Sequence, residues 1–324
     1  MRGIERVKRT VRKAWRSIKP AAAILMYHRI ADVSADPHGI SVSPDRFAQH
    51  LAYIRQTCHP MRLLDLVEAT RRGAIPKRAV VITFDDGYVD FARQAVSLLL
   101  SAQVPATVFV ASGHVDSSRC FWWDELDRLL LSPNPLPAWL RLLWGDKEYG
   151  WPTSTPEERR IAHQAIADLL RPLAVDQQQE VLASIMHWSG LPKTAYDNDR
   201  AMSSAELMQL AQSGLIDVGA HTVSHPVLSS LPLDDQQAEI VESRQRLGTI
   251  LGNPVLTFAY PYGTAQDFTA ETTELVEAAG FLAACASIPG SVEAGTDLFR
   301  LPRFWVNNWD LATFKSHLEY FFVV

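Results

Sequence analysis

The chain has 324 residues, of which 47% are hydrophobic and 21% charged, with a formal net charge of −5 at pH 7. That balance suits a globular protein with a large buried core and excludes a disordered or collagen-like chain. Residues 1–19 carry eight Lys or Arg against Glu5, a balance of +7, while the remainder carries 23 basic against 35 acidic residues, or −12. An acidic main body argues against a general nucleic-acid-binding surface.

The first element in chain order is the basic arm. Ile4, Val7, Val11, Trp15 and Ile18 recur at helical spacing among its Lys and Arg residues, the pattern of a helix lying on an anionic membrane surface, with a solvated tail as the competing reading. The apolar run from Ala21 to Tyr27 is too short for a secretory signal, and no stretch approaches the roughly 20 apolar residues of a membrane span. The expected location is therefore cytoplasmic, with peripheral contact at the inner membrane face through residues 1–19.

Short runs rich in β-branched and aromatic residues predict strands at 22–27, 79–85, 105–111, 215–221, 255–260, 280–286 and 304–306. Helical patterns fall near 44–57, 64–72, 89–103, 203–213, 234–251, 268–279 and 310–322. Strand–helix alternation of this kind predicts a parallel α/β fold, and seven or so strands suit a (β/α) barrel. The stretch from about 125 to 200 interrupts it with Pro133, Pro135, Pro137, Pro152 and Pro156, then polar helical stretches near 156–171 and 176–188 and no clear strand. It reads as a helical insertion over the mouth of the barrel, with an interaction segment as the alternative. The division is thus an arm at 1–20 and a barrel at 21–324 that carries the insertion. Cys58, Cys120 and Cys285 lack the spacing of a Cys-based zinc site or a disulfide framework.

Two motifs carry chemistry. The strand Val80-Val81-Ile82-Thr83-Phe84 runs into Asp85-Asp86-Gly87. Side chains alternate along a strand, so adjacent acids serve one site only if the chain bends, which Gly87 permits. An Asp capping the next helix is the plainer reading. Further on, Gly219-Ala220-His221-Thr222-Val223-Ser224-His225 also ends an apolar strand. Two His four apart in one helical turn share a side, as paired imidazoles gripping a zinc-like ion do, although a chance pairing is commoner. Thr222 stands where a zincin helix has its Glu base. Taken together, one carboxylate and two imidazoles make a three-ligand site with open positions, leaving the other carboxylate to deprotonate a water. Such an ion lowers the pKa of water and polarises an acyl carbonyl, which suits amide hydrolysis. A glycosidase needs its carboxylates on opposite sides of the sugar, and neighbouring residues fit that poorly.

At these residues the chain resembles the polysaccharide deacetylases, carbohydrate esterase family 4, with the NodB-like domain. Thr83-Phe84-Asp85-Asp86-Gly87 is similar to the first family motif and His221-Thr222-Val223-Ser224-His225 to the second. The resemblance covers roughly residues 22 to 310 apart from the insertion and implies a distorted (β/α)7 TIM-like barrel. It also implies Asp85 as general base, and Asp86, His221 and His225 as ligands of a divalent ion, zinc first, with cobalt, manganese or nickel as alternatives. The third motif appears as Ala259-Tyr260-Pro261-Tyr262-Gly263. Pro261 and Tyr262 carry over as groove wall and as a backbone N–H donor toward an oxyanion. The family's arginine does not, because Ala259 stands in its place; Arg303, in Arg300-Leu301-Pro302-Arg303, is the expected substitute. The late His that many members use as general acid is absent from Leu282-Ala283-Ala284-Cys285-Ala286-Ser287. Leu25-Met26-Tyr27-His28-Arg29 instead resembles the branch acting on poly-N-acetylglucosamine, which implies His28 as the acid, against a plain strand-end His.

Phe121-Trp122-Trp123-Asp124 supplies Trp123 as a candidate sugar platform and Asp124 as an orienting acid, with core packing of the tryptophans the alternative. The expected function is metal-dependent removal of N-acetyl groups from N-acetylhexosamine units of a polysaccharide or glycolipid. A deformylase or cyclic-imide hydrolase on the same fold is a second reading, and a non-catalytic carbohydrate-binding protein a third.

Overall fold

The computed structural model describes residues 21–33, 36–117, 119–192 and 197–322, so the basic arm at 1–19 lies outside the described residues. Residues up to Val115 together with those from Met202 onward form one compact unit, and Asp116–Ala201 forms a second.

The first unit is a curled parallel sheet wrapped by helices. Its main strands are β1 (Ala22–Tyr27), β2 (Ala79–Phe84), β3 (Ala106–Val110), β4 (Ile216–Ala220), β5 (Thr257–Ala259), β6 (Ala283–Cys285) and β7 (Phe304–Trp305). Their order is β6-β5-β4-β3-β2-β1-β7, all parallel, with the short strand His59–Pro60 added beside the start of β2. Each strand neighbours its predecessor except β7, which pairs with β1. The segment before β7 first runs beside β6, where the Leu301 N–H donates to Ala284 and the Ala286 N–H donates to Leu301. This crossing curls the sheet into the distorted (β/α)7 barrel.

Strand alternation sorts the side chains into two layers. Ala23, Leu25, Val80, Ile82, Phe84, Val108 and Val110 pack outward into the core shared with the helices. Ala22, Ile24, Ala79, Val81, Phe109, Ala259, Ala283, Cys285 and Leu301 fill the lumen. Along β2 the lumen series Ala79, Val81 continues to Thr83 and then Asp85, so the lumen is apolar below and polar at the carboxyl ends of the strands, where barrel enzymes place their chemistry.

Several helices start where the sequence supplies a side-chain cap. Ser43 accepts the Arg46 N–H before the helix Pro44–Thr57, whose Phe47, Leu51 and Ile54 are buried. Ser203 and Glu206 form a capping box for Ser204–Ala211, and Asp310 caps Leu311–Phe321. The helix expected over 89–103 opens with a π-type turn, Phe91–Ala95, before Val96–Ala102.

The second unit departs from expectation. Its helices are Trp122–Leu131, Pro156–Leu170 and Val175–Ser189, but it also holds an antiparallel hairpin, Trp139–Trp144 with Lys147–Pro152, in a stretch read as having no strand. Gly145-Asp146 makes the two-residue turn, with Gly145 at φ +56°. The period-two signal is present, since Leu140 and Leu142 are buried while Trp139 and Leu143 are exposed. Consecutive Leu142-Leu143-Trp144 and the preceding prolines hide it in the sequence.

One buried ring in the first unit ties stability to pH. His50 stacks on Phe314 at 3.9 Å, donates from Nε2 to the Trp309 carbonyl (3.0 Å) and accepts the Tyr27 hydroxyl at Nδ1 (3.3 Å). Burial pushes its pKa down to about 4 from the ordinary 6.5, with the Trp309 bond working the other way. A depressed folded-state value means that the contribution is complete above about 6.5 and is lost as pH falls toward about 4. Urea unfolding at pH 7 and pH 4 should show the chain losing roughly 3 kcal/mol more than its His50→Gln variant over that interval.

Candidate active site

Asp85 and Asp86 follow β2 directly. Asp85 continues the lumen alternation, and its backbone N–H donates to the Tyr27 carbonyl (3.0 Å) as a last rung of the ladder. The bend that brings the second carboxylate to the same site begins one residue earlier than expected: Asp86 itself lies in the left-handed region at φ +71°, and Gly87 follows at φ +78°. Gly87 is required twice, because a Cβ there would also meet both Val110 methyls at 3.1 Å.

Arg303, just before β7, reaches into the top of the lumen and forks onto Asp85: Nη1 to Oδ1 at 2.6 Å and Nη2 to Oδ2 at 2.7 Å. Its Nε donates to the Ala286 carbonyl (3.1 Å), and Nη1 also reaches the Thr83 hydroxyl (3.2 Å). The guanidinium carbon lies 5.6 Å from the centre of the Phe109 ring, which shares the lumen cluster with Ala259. Thus the Asp85 contact comes from across the barrel, while Ala259 contributes a small side chain. Burial pushes Asp85 up, but the Arg303 charge, aided by His221, more than offsets this and holds the carboxyl below its usual range. Arg303, itself disfavoured by burial, is held charged by Asp85.

His221 and His225 follow β4, but not in a helical turn as the spacing suggested. Residues 221–227 have no helical structure, and Thr222 (φ +65°) and His225 (φ +62°) are both left-handed, which a helical turn excludes. The two rings nevertheless meet edge to face, 4.8 Å between centres. His221 Nε2 lies 3.5 Å and His225 Nε2 3.3 Å from Asp86 Oδ1. The His221 Nδ1–H donates to the Ala259 carbonyl (2.7 Å), which directs Nε2 toward Asp86. Burial raises the Asp86 pKa, yet the hydrogen bonds from the two imidazoles win and hold it well below its ordinary value. His225 is pulled down by burial against the opposing effect of Asp86.

Asp86, His221 and His225 each offer one ligand atom, all buried and within 4.8 Å of one another. Ligands bound at about 2.0–2.1 Å with tetrahedral angles stand roughly 3.3–3.4 Å apart. The separations of 3.3 and 3.5 Å from Asp86 Oδ1 match that edge length, so the donor set fits a divalent cation in both chemistry and spacing.

The other candidates divide. Tyr262, at φ +58°, sets its ring 4.8 Å from that of His225, with Pro261 buried beside it. His28 is half-buried, its ring 4.9 Å from Trp305, and its Nδ1 has no hydrogen-bond partner among the described residues. Burial lowers its pKa, with Asp86 and then Asp85 pulling upward. Trp123 and Asp124 belong to the second unit. Trp123 is only 7% exposed and stacks on Phe121 at 4.6 Å, the packing of a core side chain rather than an open sugar platform, and Asp124 occupies the first turn of the same helix.

Glu239 was not singled out by its sequence context, yet its carboxylate accepts from the loop that carries His225. Its position within the helix Leu233–Leu251 makes it look like any helix-surface acid.

The Asp85–Arg303 pair has a measurable consequence. Removing one partner of a buried pair strands the other charge, so Arg303→Met should cost about 3–5 kcal/mol. Adding Asp85→Asn should restore most of that loss in a urea double-mutant cycle, whereas additive losses would show that the two groups are not coupled.

The sequence profile described as "Polysaccharide deacetylase" matches residues 72–136 and 176–284. A protein of Escherichia coli K12 named poly-β-1,6-N-acetyl-D-glucosamine N-deacetylase is 32% identical over 95 residues, which cover 29% of this chain and 14% of that protein. A Staphylococcus aureus protein (strain N315) of the same name is 29% identical over 123 residues, covering 33% of this chain and 42% of that one. The chain therefore spans less than half the length of these curated relatives. Among solved structures, the deacetylase PplD of Streptococcus pyogenes, in complex with acetate, superposes with a TM-score of 0.61 at 18% identity over 93% of this chain and 99% of that one. IcaB from Ammonifex degensii gives 0.61 at 19% identity over 93% and 97%. At these identities the superpositions establish the fold.

Proposed function

This chain belongs to the polysaccharide deacetylase family, and we propose that it is a hydrolase that removes N-acetyl groups from N-acetylhexosamine units of a poly-N-acetylglucosamine-type glycan or glycolipid. The observation that carries this reading is the buried trio Asp86, His221 and His225 beside an Asp85 fixed by Arg303. The trio would hold a divalent cation, zinc first by its donor set, with cobalt, manganese or nickel as alternatives. A cation bound there supplies Lewis acidity toward an acyl oxygen and lowers the pKa of a water.

The rest is the work of the chain's own side chains. Asp85, kept ionised by the guanidinium, takes a proton from the attacking water. A carboxylate has about four acceptor positions, and Arg303 uses two, so acceptor capacity remains. As the new C–O bond forms and the C–N bond breaks, His28 gives a proton to the departing amine nitrogen. Arg303 fixes the orientation of Asp85, and Tyr262, on its left-handed turn beside His225, presents a backbone N–H toward the developing oxyanion. Pro261 contributes groove wall. The names of the E. coli and S. aureus relatives support the glycan class. The reading includes a cytoplasmic location, with the +7 arm at residues 1–19 resting on an anionic membrane face.

With zinc supplied, N-acetylglucosamine oligomers should release acetate and free amine in equal amounts. Formate from N-formyl substrates, ring-opened products from cyclic imides, or binding without turnover would point to the other chemistries this fold could host. Asp85→Asn should lower kcat by about 10²–10⁴-fold with metal content unchanged, while His225→Ala should lose the metal as well. Arg303→Ala with full turnover would remove Arg303 from the scheme.

A further inference from the structure

The loop between β4 and the helix Leu233–Leu251 carries two ligand candidates on a backbone that does not hold itself. Thr222 and His225 both sit at positive φ, which non-glycine residues reach only when their surroundings enforce it. The polar groups between them are tied down. The Thr222 hydroxyl donates to the His221 carbonyl (2.5 Å) and accepts the His225 N–H (3.0 Å). The Thr222 and Val223 carbonyls accept the N–H groups of Ser112 (3.0 Å) and Gly113 (2.7 Å) from the turn after β3. A Cβ on Gly113 would lie 2.7 Å from the Val223 oxygen, so only glycine allows that approach.

The two remaining donors, the backbone N–H groups of Val223 and Ser224, point the same way and form a small anion nest. Glu239 fills it. Its Oε2 accepts Val223 N–H at 2.8 Å and Ser224 N–H at 2.9 Å, and its Oε1 accepts the Ser224 hydroxyl at 2.5 Å. A single half-buried carboxylate on the helix Leu233–Leu251 therefore grips the loop midway between the two histidines.

We infer that Glu239 is a positioning residue for metal binding: it holds the Thr222–His225 turn in its left-handed form and thereby sets the spacing of the His221 and His225 imidazoles from Asp86. This rests on the reading of those three residues as metal ligands. Partners behind a ligand typically contribute 10–100-fold to metal affinity. The shape of the carboxylate matters as well as its charge, because its two oxygens serve three donors on two residues.

The test is zinc and cobalt titration against a competing chelator on the full chain and its Glu239→Ala, Glu239→Gln and Ser224→Ala variants. The visible spectrum of the cobalt form and amide exchange at Val223 and Ser224 are read alongside. Glu239→Ala should weaken metal binding about 10–100-fold, shift the cobalt spectrum and speed exchange at the two amides, with the urea midpoint of the metal-free protein little changed. Glu239→Gln, which keeps one acceptor oxygen, should fall between, and Ser224→Ala, which deletes one bond of the three and does not depend on Glu239→Ala folding, should produce a smaller loss. Unchanged affinity in Glu239→Ala and Ser224→Ala, in a chain that itself binds zinc, overturns this inference and leaves the ligand assignment standing. A chain that binds neither metal overturns both.

Discussion

The rest of the site depends on the buried fork between Arg303 and Asp85. Two ionised carboxylates on adjacent residues repel each other, and burial makes both charges costly. The structure resolves this by giving each its own counter-charge from a different direction: the guanidinium reaches Asp85 through the lumen, and the imidazoles reach Asp86 from the β4 loop. Because the needs of Asp85 are met from below, Asp86 is left to face the histidines. The opposite flow of side chains is set by the left-handed backbone at Asp86, without which strand alternation would send it into the outer core beside Phe84.

Backbone strain is concentrated in the same place. Seven non-glycine residues have positive φ among the described residues, and four of them, Asp86, Thr222, His225 and Tyr262, are site residues. Such conformations cost of order 1–3 kcal/mol each and persist only when neighbours over-determine them. Here the neighbours are identifiable: Gly87 and Val110 behind Asp86, and Glu239, Ser112, Gly113 and the Thr222 hydroxyl around the histidine loop. The lumen provides the rigid part, since its apolar lower layers of Ala, Val, Ile and Phe fix the strands that launch these turns. A stiff barrel with strained turns at one end fixes the spacing of Asp86, His221 and His225 through the backbone that carries them.

Much of this was legible in the linear chain. All seven main strands lie within the runs expected for them, because buried parallel strands are short, apolar and β-branched, and few other patterns resemble them. Asp85, Asp86, His221 and His225 could be picked out because each pair closes an apolar strand, where side chains face a common mouth. The spacing of the two histidines predicts a helical turn, which the left-handed Thr222 and His225 exclude, and a Leu-Leu-Trp run hides the hairpin at 139–152. For Trp123 the aromatic cluster leaves a sugar platform and core packing both open, and the ring is buried and stacked on Phe121.

What the sequence determined by itself is local: where strands and helices form, which residue types end them, and hence that two acids and two imidazoles lie at the carboxyl ends of parallel strands. Only the tertiary structure decided which distant groups meet them. That Arg303 joins Asp85 across 218 positions follows from the crossing that carries the chain from β6 to β1, and that Glu239 grips Val223 and Ser224 follows from how one helix packs. Periodicity and propensity act over one or two turns of chain. The pairing of charges and the support of strained loops are instead set by distances that exist only after the barrel has curled.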